Sequence, residues 1–141
     1  MTVIHRATQQ LKEHEGLRLK PYKCTAGKTT IGYGRNLDDV GITPQEAGLL
    51  LDRDISVAYV NLQQMFSEFK SFSTSRQVAL IDMIFNLGET RFRKFKNMIA
   101  AINDNDWEKV ADEATDSTGY KQVGDRAKKV VSQLREAERW Y

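Results

Sequence analysis

The segment from Glu15 to Gly34 holds a carboxyl, a thiol and a hydroxyl, then a glycine-rich turn: Glu15, Cys24, Thr30 and Ile31-Gly32-Tyr33-Gly34. Glu15 falls at the predicted C-terminal end of a short helix, where the negative end of the helix dipole disfavours a second negative charge. Partial burial there would raise its pKa and keep a proton in place near neutrality, the state a general acid needs. Cys24 as a thiolate can stabilise positive charge, help a water attack, or attack directly. As a neutral thiol it only hydrogen-bonds weakly, and as a small buried hydrophobe it does none of these. Thr30 either holds a water or is an ordinary β-branched strand residue. Gly32 and Gly34 allow the backbone of a substrate to approach closely or simply permit a bend, and Tyr33 packs or stacks.

The elements that must position these residues change character near residue 42. Val3, Ala7 and Leu11 recur every four positions, which predicts a short amphipathic helix from Val3 to about His14, stopped by Gly16. Alternation through Leu17 and Leu19, and again through Thr29 to Gly34, flanks the turn residues Ala26-Gly27-Lys28 and predicts a small antiparallel sheet. Thr43-Pro44-Gln45-Glu46 is a capping box with proline at the first helical position. The stripe Ala47, Leu50, Leu51, Ile55, Ala58, Leu62 and Met65 carries the helix that follows for about six turns. A second box, Thr74-Ser75-Arg76-Gln77, opens the most apolar helix, Val78 to about Leu87, closed by Gly88. Further helices are predicted at Phe92 to Ile102, Asp106 to about Thr115, and about Asp125 to Arg139, the last turning Val130, Val131 and Leu134 inward. Trp107, Trp140 and Tyr141 read as packing residues. The fold class is α+β: a sheet lobe with the first helix at about residues 1–42, a connecting helix at about 43–66, and a helical lobe at about 67–141, all in one domain.

Glu15, eight residues, Cys24, five residues, Thr30, then Ile-Gly-x-Gly resembles the signature of glycoside hydrolase family 24, the family of phage-type lysozymes or endolysins. Downstream, Asn86-Leu87-Gly88-Glu89-Thr90, Phe95, Trp107 and the stretch Tyr120 to Lys129 resemble the family's helical lobe, so the likeness covers nearly the whole chain. One departure is the short stretch 35–42 between Gly34 and Thr43, where larger members carry an extra helical insertion. The resemblance implies a lysozyme-like fold with the active-site cleft between the lobes, and hydrolysis of the N-acetylmuramic acid to N-acetylglucosamine bond of peptidoglycan. Glycoside cleavage requires protonation of the leaving sugar oxygen, the role the resemblance gives to Glu15. Many members have Asp at the position of Cys24, and others have Cys. Thr30 would hold the attacking water on the ring face opposite Glu15, which favours inversion. Arg126 matches an arginine that pairs with the catalytic glutamate, and it would orient Glu15 and limit how far its pKa rises. Gly32, Tyr33, Asn36, Phe85 and Asn86 are the substrate-binding candidates, although Phe85 could equally be core.

The chain has 141 residues, 40% of them hydrophobic, enough for a core. A net charge of +2 is too small to support strong nucleic-acid binding. The single cysteine forbids an internal disulfide, which fits folding in a reducing cytoplasm. His5 and His14 have no carboxylate or cysteine at ligand spacing, so neither a metal nor another cofactor is expected. Met1 to Arg6 lack the apolar stretch of a signal peptide, and no run has the length of a spanning helix. The expectation is a monomer without stable membrane association, held in the host cytoplasm until a separate holin releases it to the wall. The basic last helix either attracts anionic wall polymers or is a solvated face, with the solvated face favoured. Two rival functions stay open: a lytic transglycosylase, which manages with a single glutamate, and a non-catalytic wall-binding module on the same scaffold.

Overall fold

The computed structural model describes residues 2–116 and 124–137 and divides the chain into two compact units, Met1–Leu49 and Leu50–Tyr141. Among the described residues there are seven α-helices, one 3-10 turn and one three-stranded antiparallel sheet, an α+β lysozyme-like fold.

In the first unit, α1 spans Val3–Glu15. The Thr2 hydroxyl accepts from the His5 amide at its start, and Gly16, at φ 69°, closes it by donating to the Lys12 carbonyl. That left-handed conformation is open to glycine at little cost, which is why the helix stops directly after Glu15. Strands β1 (Arg18–Lys23), β2 (Thr29–Gly32) and β3 (Arg35–Asn36) pair in sequence order. Tyr22 faces Thr30 and Lys23 faces Thr29, with an irregularity between Arg18 and Tyr22. Ile31 pairs with Arg35, so Gly32-Tyr33-Gly34 is the connecting tip, with both glycines at positive φ. Helix α2 (Pro44–Met65) opens with the expected box: the Thr43 hydroxyl accepts from the Glu46 amide, and the Glu46 carboxylate accepts from the Thr43 amide. The unit boundary falls within this helix.

The second unit holds the core. After a 3-10 turn at Phe69–Ser71 come α3 (Thr74–Leu87), α4 (Glu89–Arg93), α5 (Lys96–Asn103), α6 (Trp107–Asp116) and α7 (Asp125–Arg135). Phe69, Leu62, Leu80, Met83, Phe92, Met98, Val110, Val130 and Leu134 are all fully buried. Tyr59, Phe69, Phe72 and Trp107 form a run of edge-to-face ring contacts with centroids 5.6, 5.7 and 4.9 Å apart. Each such pair adds roughly 0.5–1.5 kcal/mol beyond the area it buries. Trp107 packs as expected and spends its indole N–H on Asn105.

Four expectations need correction. The N-cap of α3 is Ser73, one residue earlier than Thr74: its hydroxyl accepts from the Arg76 amide. Gln77, read as the box partner, donates its side chain to the Lys70 and Phe72 carbonyls instead. The helix predicted from Phe92 to Ile102 is two helices, because Phe95 leaves helical geometry at ψ 67°. Helix α7 ends at Arg135, where Glu136 turns extended. In the α2 stripe only Ala58 and Leu62 are buried, whereas Ala47, Leu50, Leu51 and Ile55 are exposed. Of the α7 residues expected inside, Val130 and Leu134 are buried and Val131 is half-buried. Tyr120, Arg139, Trp140 and Tyr141 lie outside the described residues.

Candidate active site

The sheet unit gathers its reactive groups by local folding. β1 ends at Lys23, and the chain reverses through Cys24 to Gly27, where the Gly27 amide donates to the Cys24 carbonyl and the Cys24 amide donates to the Lys28 carbonyl. The reversal wraps backbone donors around the sulfur. The Lys28 amide, and after it the Ala26 amide, hold the Cys24 thiol below its ordinary pKa, with the Thr30 hydroxyl adding to the effect and partial burial opposing it. The thiolate is thereby easier to form than in an ordinary cysteine. Cys24 is half-buried, so it is neither a sealed core residue nor fully solvated.

Thr30 lies on β2 and is the one buried residue among those described in the first unit, at 3% exposure. Its hydroxyl lies 2.9 Å from the Lys28 carbonyl, to which it donates. It also reaches Cys24, and since a hydroxyl has one proton, the carbonyl and the sulfur compete for it.

Glu15 is the last residue of α1 and its side chain is exposed, so the partial burial expected of it is not present. Its carboxylate lies against Gly34: a Cβ on Gly34 would stand 2.9 Å from Glu15 Oε2 and 3.1 Å from its Cδ. Gly34, at φ 79°, therefore makes room for this chain's own carboxylate. Nothing comparable crowds Gly32.

The other candidates are dispersed. Tyr33 is exposed at the hairpin tip, with the Lys12 ammonium 5.4 Å from its ring centroid. Asn36 ends the sheet as a structural cap: its side chain donates to Asp39 and accepts from the Asp39 amide. Phe85 and Asn86 are exposed on α3, so Phe85 is not core. Phe85 lines a groove within the second unit together with Arg53, Asp54, Asn61 and Glu89. Arg126 is on α7, and its guanidinium bonds Asp82 at 2.8 Å and reaches Asn86 at 3.5 Å.

Two residues that sequence reasoning passed over are Arg35 and Glu46. The Arg35 guanidinium donates to the Gly41 carbonyl at 3.1 Å and to Glu46 at 2.8 Å. Glu46 already accepts from the Thr43 amide, and this double load, led by Arg35, pulls its pKa down to about 2. A cation directly after the glycine turn and a glutamate in a capping box were the available signals, and both have ordinary structural explanations.

A helical unit, a small antiparallel sheet unit and the Glu15-to-Gly34 segment define a lysozyme-like protein. The chain matches the family described as Phage lysozyme over residues 12–138, and it belongs to that family. The pre-baseplate central spike protein Gp5 of Enterobacteria phage T4 is 30% identical to it, over 87% of this chain and 26% of the spike protein. Probable T4-type lysozyme 1 of Dictyostelium discoideum is 28% identical, over 86% of this chain and 89% of its own length. An endolysin of Acyrthosiphon pisum secondary endosymbiont phage 1 is 36% identical over 65% of this chain and 64% of its own length. The chain thus spans about a quarter of the spike protein and just under two thirds of that endolysin.

Proposed function

We propose that this protein is a muramidase that hydrolyses the β-1,4 bond between N-acetylmuramic acid and N-acetylglucosamine in peptidoglycan, acting as an endolysin at the close of a phage cycle. Membership of the phage lysozyme family supports a lysozyme-type peptidoglycan hydrolase, and a relative carries the name endolysin. The observation that carries the finer assignment is the arrangement of the sheet unit. Cys24 in the β1–β2 turn meets the Thr30 hydroxyl on β2, and Glu15 rests against Gly34 in the next turn along the same short sheet.

In the proposed reaction Glu15, protonated, gives its proton to the leaving sugar oxygen as the glycosidic bond breaks. A water oxygen bonds to the anomeric carbon from the opposite face, which inverts that centre, and its proton passes toward the Cys24 sulfur. Thr30 assists through its hydroxyl, which is shared between the Lys28 carbonyl and the sulfur. The thiol and the Glu15 carboxylate then exchange protons with solvent, which restores both. Gly32, Tyr33, Asn36, Phe85 and Asn86 are assigned to glycan contacts, and Arg126 to a supporting role. The protein acts as a monomer that depends on a separate holin to reach the wall; no helix among the described residues is long and apolar enough to cross a membrane.

Mass spectrometry of digested peptidoglycan tests the chemistry. Hydrolysis leaves reducing muramic acid ends; a predominance of 1,6-anhydro ends would replace the proposal with a lytic transglycosylase.

A further inference from the structure

The hairpin tip that receives the Glu15 carboxylate is fixed on one side only, by the pairing of Gly32 with Arg18 and by the Lys12 ammonium over the Tyr33 ring. Gly32 and Gly34 both sit at positive φ, and the exposed Tyr33 ring lies between them. Glycine loses more freedom on folding than any other residue, so such a tip needs an external restraint to hold one position. Arg35, the next residue, supplies it. Its guanidinium reaches the Gly41 carbonyl and the Glu46 carboxylate, and Glu46 in turn holds the Thr43 amide at the start of α2.

We propose that Gly34 and Arg35 together form a positioning device for Glu15: Gly34 presents a bare Cα for the carboxylate to lie against, and Arg35 pins that turn to the N-terminal cap of α2 through Glu46. Arg35 touches neither Cys24 nor Thr30 in any hydrogen bond described above, so it acts through the placement of Glu15. The inference rests on Glu15 being the acid. The Arg35 guanidinium and the Thr43 amide pull the Glu46 pKa down to about 2, so the bridge is fully ionised at neutral pH.

The experiment compares the wild type with Arg35→Met, Arg35→Lys, Gly34→Ala and Glu15→Gln. Two readouts are used: kcat and KM on a soluble peptidoglycan fragment, and the NMR cross-peaks between Gly34 Hα and Glu15 Hγ. Misplacing a catalytic group by about 1 Å can cost on the order of a hundredfold in rate. Gly34→Ala should approach that loss, since its methyl would displace the carboxylate, and Arg35→Met should lower kcat about tenfold with KM little changed. The cross-peaks should weaken in Arg35→Met, and Arg35→Lys should recover part of both readouts. Should Arg35→Met fail to fold, Glu46→Gln keeps an acceptor for the Thr43 amide, weakens the bridge, and carries the same two readouts. Unchanged kcat with intact cross-peaks would overturn the proposal, as would a lost kcat with cross-peaks unaltered. Glu15→Gln separates the two levels. If it stays active, the acid assignment itself falls; if it is inactive while Arg35→Met behaves as wild type, the positioning role alone falls.

Discussion

The two units of this protein are stabilised by different physics. In the second, every buried apolar side chain among the described residues, from Ala58 to Leu134, belongs to one cluster, with aromatic rings meeting edge to face. In the first, Thr30 alone is buried among the described residues, and α1 has no buried residue at all. What holds the first unit is polar and local: two helix caps, turn glycines, the Lys28–Asp39 and Arg35–Glu46 ion pairs, and backbone donors around Cys24. Exposed ion pairs of this kind contribute little, being screened by solvent, whereas a fully buried aromatic or aliphatic side chain contributes roughly 1.5–3 kcal/mol. The proposed reactive groups sit on the weakly buried unit. Directed hydrogen bonds fix atoms in angle as well as distance, which apolar packing does less well, and they leave the groups accessible to a polymeric substrate.

Substitutions can break this contrast. Phe69→Ala, at the centre of the ring contacts, should cost about 3–5 kcal/mol in urea unfolding, the largest of the predicted effects. A loss under about 1 kcal/mol would mean that the second unit is not held by its core. Next comes Cys24. Cys24→Ser should lower turnover about a hundredfold, the lower end of the range for acid–base groups, and Cys24→Asp should keep a useful fraction. Iodoacetamide should inactivate the wild type with a pH midpoint below that of an ordinary thiol, because the Lys28 and Ala26 amides favour the thiolate. Full activity in the serine variant would remove the thiolate from the mechanism.

Glu46→Gln gives a smaller, pH-dependent effect. The carboxylate's folded pKa, about 2, lies below its ordinary value, so its stabilisation is present above that ordinary value and is lost as pH falls through about 2. The melting deficit of the variant should therefore be full at neutral pH and shrink toward pH 2; a deficit that grows with acid would contradict the bridge. The smallest effect is Leu19→Ala, at a strand position 79% exposed, which should shift stability by less than about 0.5 kcal/mol despite removing a large hydrophobe.

Much of this contrast was legible in the sequence. The positions of α1, the sheet and the Thr43 box follow from period, turn glycines and capping chemistry, and Glu15, Cys24 and Thr30 stand out by type and spacing. Misreadings arose where tertiary structure overrides a local pattern. Phe92, Phe95, Ile99 and Ile102 keep a helical spacing straight across a real break, because both short helices turn their apolar faces to the same core. Ser73 and Thr74 are both acceptable caps by type, and the backbone geometry places Ser73, the better one, at the cap. Leu50 and Leu51 continue an apolar stripe without being buried. The Arg35–Glu46 bridge was invisible because its partners are eleven residues apart and each looks like ordinary surface charge.

The most direct test of the central claim is Glu15→Gln, measured by turbidity clearing of a peptidoglycan suspension alongside thermal melting. Glu15 is exposed, so the melt should be unchanged. Clearing should fall by at least about a hundredfold, the lower end of what a positioned acid contributes. A variant that melts like the wild type and still clears the suspension at the wild-type rate would contradict the account.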